Sequence, residues 1–425
     1  MRSRLKGEKR VLSLFSGCGG MDLGFRGDFR VFKPMVNLKI NGDWISSEPT
    51  RDKFLLKPTR FETCFANDIN PAAKETFNRY FVERGFDGNM YFTASVVDII
   101  KSHEKGDFSF PGDISVVTGG FPCQDFSYSG KRLGFNSHKN HDSKGKNPKS
   151  TESRGSLYLW MKKVIEIVKP KMFVAENVKG LMTLRNAADI IRKDFGSANG
   201  DSYVVVTPKL LRAAEHGVPQ SRERIIFMGF LKSALTARAL KAFTANSVPD
   251  DFDPYPPPTH YQPDKSPLRD SMLKRGDLPD FVPCDAVLKD LPEPDEATEP
   301  EQRNYSKARF LDNASQGQIE IKLDRIAPAI RAEHHGNIEY RRLSASNGGI
   351  IEAELKRKLI QRRLTVRECA RIQSFPDEFK FIFPGGKVRV STSESYKLIG
   401  NAVPPFLAYH MAKRLEHNWD LYFKK

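Results

Sequence analysis

The sequence predicts an α/β protein whose ligands gather at the carboxyl ends of strands in an open sheet. Three observations predict it. Short apolar runs at 11–15, 61–66, 114–118 and 172–175 have the length of buried strands. These runs end in glycines or in polar groups, written SGCGG, NDI, GGFPCQ and ENV. Segments with helical periodicity follow several of them, as at Pro71–Phe81 and Leu157–Val168. With 425 residues the chain is long enough for two domains, or for one large domain carrying an insertion.

The first run leads through Ser16–Gly17–Cys18–Gly19–Gly20 into MDLGF, which reads as strand, glycine turn and helix start. Glycines allow close backbone approach to a ligand, and the helix amino end offers unpaired amides. The spacing is not GxGxxG, which argues against an ordinary dinucleotide site. Residues 27–60 exceed a usual strand-to-helix connection and read as an added hairpin. The second run ends at Asn67, Asp68 and Ile69. Asp68 stands where a ribose is gripped, or else caps the following helix. The stretch 94–100, ASVVDII, reads as the end of a third strand or turn, with Asp98 and Ile99 as a polar and apolar pair suited to an adenine edge and face.

The run at 114–118 ends in GGFPCQ, with Cys123 at its centre. Alone, such a cysteine is a small buried hydrophobe as readily as a nucleophile. A lysine-rich loop follows as far as Arg154 and is suited to closing over a polyanion. The run at 172–175 ends at Glu176 and Asn177, which places a carboxylate beside Cys123 if the two strands are neighbours. Two further strands, 203–207 and 224–230, flank a turn in which alternation puts Gln220, Arg222 and Arg224 on one face. Their guanidinium groups suit a base carbonyl or a phosphate. Proline and aspartate crowd 247–300 and mark a domain boundary. The adjacent His334 and His335 lack helical metal spacing and suit hydrogen bonding. Residues 364–373 form an amphipathic helix opened by Thr365, with Glu368 at the capping-box position. The turn GNAVPP then leads into a helix running through Leu415.

Lys and Arg number 68 against 52 Asp and Glu, a formal charge of +16, so an acidic polymer is the natural partner. Five cysteines without CxxC spacing indicate neither a disulfide framework nor a zinc site; no metal is expected and a reducing cytoplasm is. The basic start followed by VLSLF is too short for a secretory signal, and no stretch has the apolar length of a membrane span.

Taken in order, FSGCGG, the Asp68 tip, Asp98 with Ile99, GGFPCQ, ENV, QSRER, RRLTVRECARIQSFPDEF and GNAVPP closely resemble the DNA cytosine-5 methyltransferases of bacterial restriction-modification systems. The resemblance covers nearly the whole chain except the variable region. It implies a doubly wound, mostly parallel sheet of the S-adenosylmethionine-dependent methyltransferase fold, with a smaller inserted target-recognition domain. The implied division is 1–232 for catalysis and cofactor, 233–360 for target recognition, and 361–425 for a hinge and a last helix returning to the large domain. Phe15, Cys18 and Gly20 would line the S-adenosyl-L-methionine pocket, with Asp68 on the ribose, Ile69, Asp98 and Ile99 at adenine, and Asn401 from the carboxyl end. Cys123 would add to cytosine C6 while Glu176 bonds N3 and the exocyclic amine, with Arg224 on O2 and Arg222 beside it. The base would be flipped from duplex DNA, with Ser127, Ser129 and Arg154 contacting DNA.

Family membership would also imply a monomer and a partner restriction endonuclease. The segment RAEHHGNIEYRR resembles those of members with G·C-bounded palindromic targets. Three departures from the family pattern stand out: Val366 in place of a usual proline, the long 27–60 stretch, and a lysine-rich insertion after Phe135. Two alternatives stay open at this level, an RNA cytosine-5 methyltransferase and a DNA-binding regulator that has lost catalysis. The length of chain between QSRER and LTVREC favours a DNA substrate, and the presence of Cys123 and Glu176 favours an enzyme.

Overall fold

In chain order the strands are β1 (Lys9–Leu14), β2 (Arg30–Phe32), β3 (Lys53–Leu55), β4 (Phe61–Asp68), β5 (Tyr91–Thr93), β6 (Val116–Gly120), β7 (Met172–Val178), β8 (Tyr203–Val205), β9 (Lys209–Arg212) and β10 (Glu223–Leu231). A short pair, β11 (Glu339–Arg341) and β12 (Arg362–Arg363), lies apart from these. This computed structural model describes residues 7–46, 50–122, 157–184, 186–262, 278–307, 321–332, 339–341, 356, 359, 362–383, 385 and 388–424. The main sheet has the order β5-β4-β1-β6-β7-β10-β8, with β9 also on β10. The first five strands of that order run parallel, and β10 is antiparallel to its neighbours β7, β8 and β9. The expected mostly parallel sheet is therefore present. The chain leaves β1 for β4 on one side and returns to β6 on the other, which opens a crevice above the β1 and β6 ends.

Strand alternation explains the two helix layers. On one face Val11, Val116, Met172, Val174, Ile226 and Met228 join one apolar core. Their chain neighbours Leu12, Val117, Phe173, Ala175, Ile225 and Phe227 join the other. The second face is covered by α3 (Val96–Glu104), α4 (Leu157–Val168) and α5 (Ala187–Gly196), the first by α1 (Gly20–Arg26), α2 (Pro71–Phe81) and the long carboxyl-terminal helix α9 (Pro405–Tyr422). Among the described residues the remaining α-helices longer than four residues are α6 (Ala237–Thr244), α7 (Val366–Ile372) and α8 (Thr392–Asn401). Helix α9 lies directly on α1. A Cβ at Gly24 would stand 2.4 Å from both the Ala408 Cβ and the Pro405 carbonyl, so only glycine admits that crossing.

Several expected elements recur where they were read, and some do not. The 27–60 stretch does contain an antiparallel hairpin, β2 with β3. Thr365 and Glu368 form the capping box, with Glu368 N donating to Thr365 Oγ1 at 3.0 Å and Thr365 N to Glu368 Oε2 at 2.8 Å. Val366, where the resemblance leads one to expect proline, donates its amide to the Asn304 carbonyl at 3.1 Å, a bond proline cannot make. The third strand is the short β5, and 96–104 is helix α3 in place of the expected strand end. Strand β9 was not anticipated.

The first residues after Ser233 pack against the main sheet and the last helix. Phe243 stacks on Phe230 at 4.3 Å, Tyr255 donates its hydroxyl to the Ile226 carbonyl at 2.9 Å, and Leu235 bridges to Phe423. Residues 233–262 are thus bound to β10 and α9, because their apolar side chains find partners there.

Three buried histidines meet beneath α9. His216 and His410 stand ring to ring at 5.0 Å, and His410 also meets Trp44 and Phe406 edge-on at 4.7 Å. His260 faces Thr259 Oγ1 at 3.0 Å and the Pro34 carbonyl at 3.2 Å. Burial lowers the affinity of all three for a proton, and His260 falls from 6.5 to about 4. Asp22, which burial raises from 3.8 to about 6, and Asp68, which burial also raises, act in the opposite sense, against three imidazoles and the Asp377 carboxyl that Arg371 and Lys53 hold low. A histidine of lowered folded pKa lends stability above the unfolded value that is lost as pH falls toward the folded one. The thermal midpoint is therefore expected to drop as pH goes from 6.5 to about 4. His410→Leu should flatten that slope at little cost near neutrality, because His410 Nε2 has no hydrogen-bond partner among the described residues. Thermal denaturation of both proteins across that range is the check, and equal slopes would reject the account.

Candidate active site

A cavity of about 580 Å³ opens where β1, β4, β6 and β7 end and β10 begins. Its floor is the loop after β1. Phe15, Gly17 and Gly19 all have positive φ, at 51°, 54° and 89°, and α1 starts directly afterwards. Asp68 fastens this loop, its Oδ2 accepting from Gly17 N at 3.0 Å while Oδ1 accepts from Asn70 N at 2.9 Å. The cap of α2 is Asn70, which accepts from Ala72 N at 2.9 Å. The choice left open for Asp68 is thereby resolved against capping. Burial raises its carboxyl pKa.

Phe15, Gly20, Asp68, Ile69 and Asn401 all line the cavity. Cys18 does not. Its thiol is buried and faces the Leu398 carbonyl at 3.7 Å, tying the loop to α8, and burial pushes its pKa well up. Asp98 and Ile99 do not line the cavity either. Both lie inside α3, with Asp98 exposed and Ile99 in the core beneath the sheet. Ser95 and Val96 stand at the cavity instead, and Ser95 Oγ caps α3 by accepting from Val97 N at 3.2 Å. The signal was in the sequence, since Ser95 followed by Asp98 has the spacing of a helix start.

Strands β6 and β7 are parallel neighbours with Gly120 opposite Glu176, as the expectation for the nucleophile and the acid requires. A Cβ at Gly120 would stand 2.9 Å from Glu176 Oε2. The Glu176 carboxylate is 7% exposed, and its Oε1 pairs with Arg224 Nε at 2.6 Å. Asn177 Nδ2 donates to the Phe121 carbonyl at 3.2 Å, which anchors the backbone just before Pro122. Pro122 lines the cavity and is the last described residue before Cys123. Cys123, Ser127, Ser129 and Arg154 lie outside the described residues, as do His334 and His335.

Arg222 is in the cavity wall but serves another purpose than a partner for a base. It is 1% exposed, with Nη1 donating to the Ile330 carbonyl at 2.9 Å and Nη2 to the Gly400 carbonyl at 2.8 Å. Gln220 works beside it, accepting from Ile330 N at 3.1 Å and donating to Gln373 Oε1 at 2.5 Å. The two side chains join the turn before β10 to residues 327–332 and to the α8 end. That joint brings Ala329 and Arg331 to the cavity, which no motif in the sequence had indicated. Among the described residues no group of His, Cys, Asp or Glu is arranged to hold a metal.

Residues 9–417 match the family described as C-5 cytosine-specific DNA methylase. The chain belongs to this family. Over 432 aligned residues it is 30% identical to the Type II methyltransferase M.BsuRI of Bacillus subtilis, an alignment covering 97% of this chain and 80% of that protein. It is equally 30% identical over 425 residues to M.BspRI of Lysinibacillus sphaericus, covering 95% of this chain and 81% of that one. In fold it resembles the S. pombe Dnmt2 methyltransferase, with a TM-score of 0.52 at 19% identity across 96% of this chain and 99% of that structure. The protein is thus a DNA cytosine-5 methyltransferase, akin to those of restriction-modification systems. No helix among the described residues is long and apolar enough to cross a membrane.

For this methylase Gly120 makes a sharp test. The atom a Cβ would crowd is the far end of the Glu176 side chain, which can swing away without moving backbone. Gly120→Ala is therefore expected to cost about 1 kcal/mol or less in stability yet to lower kcat by roughly 100-fold through the displaced carboxylate. Single-turnover methylation beside thermal denaturation separates the two effects. An unchanged kcat would show that Glu176 does not need this place.

Proposed function

We propose that the cavity binds S-adenosyl-L-methionine against the β1 and β4 ends and a flipped cytosine against the β6 and β7 ends. The observation that carries the reading is the β6–β7 register, which sets Glu176 beside the turn leading to Cys123. The residues fit the cofactor. The glycine loop offers a close backbone surface, Asp68 is held at the strand tip, and Ile69, Val96 and Phe15 supply apolar faces for a planar ring. The volume is of the size usual for small-molecule sites, roughly 300–1,000 Å³. S-adenosyl-L-methionine, when bound, supplies an electrophilic methyl group.

The chain's own groups then activate the base. Cytosine C5 is a poor nucleophile until a group adds to C6; Cys123 supplies that group as a thiolate and is expelled again by elimination once C5 has been methylated and has lost its proton to a base. Glu176, carrying a proton, donates to N3 while its other oxygen accepts from the exocyclic amine, offsetting the negative charge that develops in the ring. Arg224, which orients Glu176 through its 2.6 Å pair, holds the base O2. Arg222, expected beside Arg224 at the base, instead holds the wall together through the Ile330 and Gly400 carbonyls. Ser95 and Val96 take the place at adenine first given to Asp98 and Ile99.

Target reading is assigned to the inserted region after Gln262, with a G·C-bounded palindrome as the site and Ser127, Ser129 and Arg154 on the phosphates. Double-stranded DNA attracts the +16 chain through its phosphates. By likeness to the Type II methyltransferases we assign a cytoplasmic monomer that protects host DNA from a cognate restriction endonuclease.

Transfer of labelled methyl to mixed-sequence duplex DNA, followed by bisulfite sequencing, tests the reading. Methylcytosine at one short recurrent motif is expected from the wild type and none from Cys123→Ala. Glu176→Gln should retain cofactor binding while losing about 100-fold or more in kcat. Labelling of RNA in preference to duplex DNA would overturn the substrate, and undiminished methylation by Cys123→Ala would overturn the covalent step.

A further inference from the structure

The 27–60 stretch, longer than a usual strand-to-helix connection, lines no part of the cavity with its described residues, yet it is tied at two ends. One end grips the large domain. Tyr409 donates its hydroxyl to the Lys57 carbonyl at 2.9 Å, Trp44 meets Tyr409 edge-on at 5.3 Å, and Asn37 Nδ2 donates to the Thr259 carbonyl at 2.9 Å. The other end reaches the segment after α7. Lys53 Nζ on β3 lies 2.6 Å from Asp377 Oδ2, and Arg30 on β2 lies 3.7 Å from Glu378.

Asp377 passes the connection on. Arg371 of α7 binds it through two bonds of 2.8 Å, and the same guanidinium donates to Asp290 Oδ1 at 2.6 Å and to the Val287 carbonyl at 3.0 Å. Charges of alternating sign thus run from Lys53 through Asp377 and Arg371 to Asp290. The Phe32 ring lies under both cations, 4.7 Å from Lys53 Nζ and 5.0 Å from the Arg371 guanidinium. The middle of the chain of groups is shielded, with Lys53 17% and Arg371 6% exposed in their side chains, while Asp290 at its far end is 47% exposed. Burial opposes ionisation of Asp377, but Arg371 and then Lys53 outweigh it and hold the carboxyl well below its usual range. The partly desolvated, bidentate Arg371–Asp377 pair at its centre holds geometry far better than an exposed pair would.

We propose that the insertion is a bracket that sets the inserted region's angle on the catalytic domain, with Lys53 as its positioning residue for DNA. A bracket of this kind keeps the cleft in its DNA-accepting form before DNA arrives, so less ordering is needed on binding. It leaves the methyl-donor pocket, built from the β1 and β4 ends, untouched.

The proposal rests on the reading of the inserted region as the part that meets DNA, and wild-type methylation of duplex DNA in the same assay tests that reading separately. Lys53→Met should raise KM for DNA by roughly tenfold while kcat at saturating DNA and the cofactor Kd stay within about twofold. Lys53→Arg should restore KM, and Asp377→Asn should raise it as much as Lys53→Met or more. The double variant should be no worse than Asp377→Asn alone, since both break one connection. If Lys53 instead touched a DNA phosphate directly, Asp377→Asn would leave KM unchanged or lower it, and the bracket would be rejected. Equal losses in DNA and cofactor affinity, or no change in KM for Lys53→Met, would reject it as well.

Discussion

The pairing of β6 with β7 is the constraint on which the site depends. Parallel neighbours hold their carboxyl ends at the same edge, so the turn leaving β6 and the acid on β7 face each other across one strand spacing. Glycine at 120 lets the Glu176 carboxylate fill the space between them. Strand β10 runs the opposite way, so its beginning lies at that same edge and Arg224 can meet Glu176. The end of β6, an acid and a cation from three separate strands therefore converge without any long loop to place them.

Closure of the cavity needs a second device, because its far wall comes from segments remote in sequence. Arg222 and Gln220 provide it by bonding backbone at Ile330 and Gly400 and the side chain of Gln373. A buried guanidinium is costly unless its donors are satisfied, and here carbonyl oxygens satisfy the two terminal nitrogens. The contact between α1 and α9 works toward the same end by different physics. There the absence of a side chain at Gly24 permits backbone to lie against backbone, and the last helix brings the Asn401 turn back over the glycine loop. Within this frame the 27–60 hairpin acts as an outer brace joining α9 to the segment after α7.

Much of the site was legible because strand-end chemistry is local. A short apolar run followed by glycine, asparagine, aspartate or glutamate identifies the strand and its functional tip together, which is why Phe15, Gly20, Asp68, Glu176 and Arg224 all reach one cavity. The errors arose where local pattern admits two geometries. ASVVDII is apolar enough for a strand, but Ser95 begins a helix there and turns Asp98 outward. Cys18 shares its glycine loop with cavity residues, and only the approach of Leu398, far along the chain, decides that its thiol points the other way.

By itself the sequence determined the class of fold, the family's chemistry and the residues at the strand ends, since these follow from periodicity and from motifs a few residues long. Tertiary structure alone decided which backbone carbonyls Arg222 holds, where residues 233–262 pack, and what the 27–60 stretch touches. Those answers depend on contacts between residues tens to hundreds of positions apart, such as Arg222 with Gly400, Tyr255 with Ile226, and Lys53 with Asp377. Local pattern cannot fix such pairings, because the same arginine, tyrosine or lysine would be equally at home in water until the fold supplies a partner and removes the solvent.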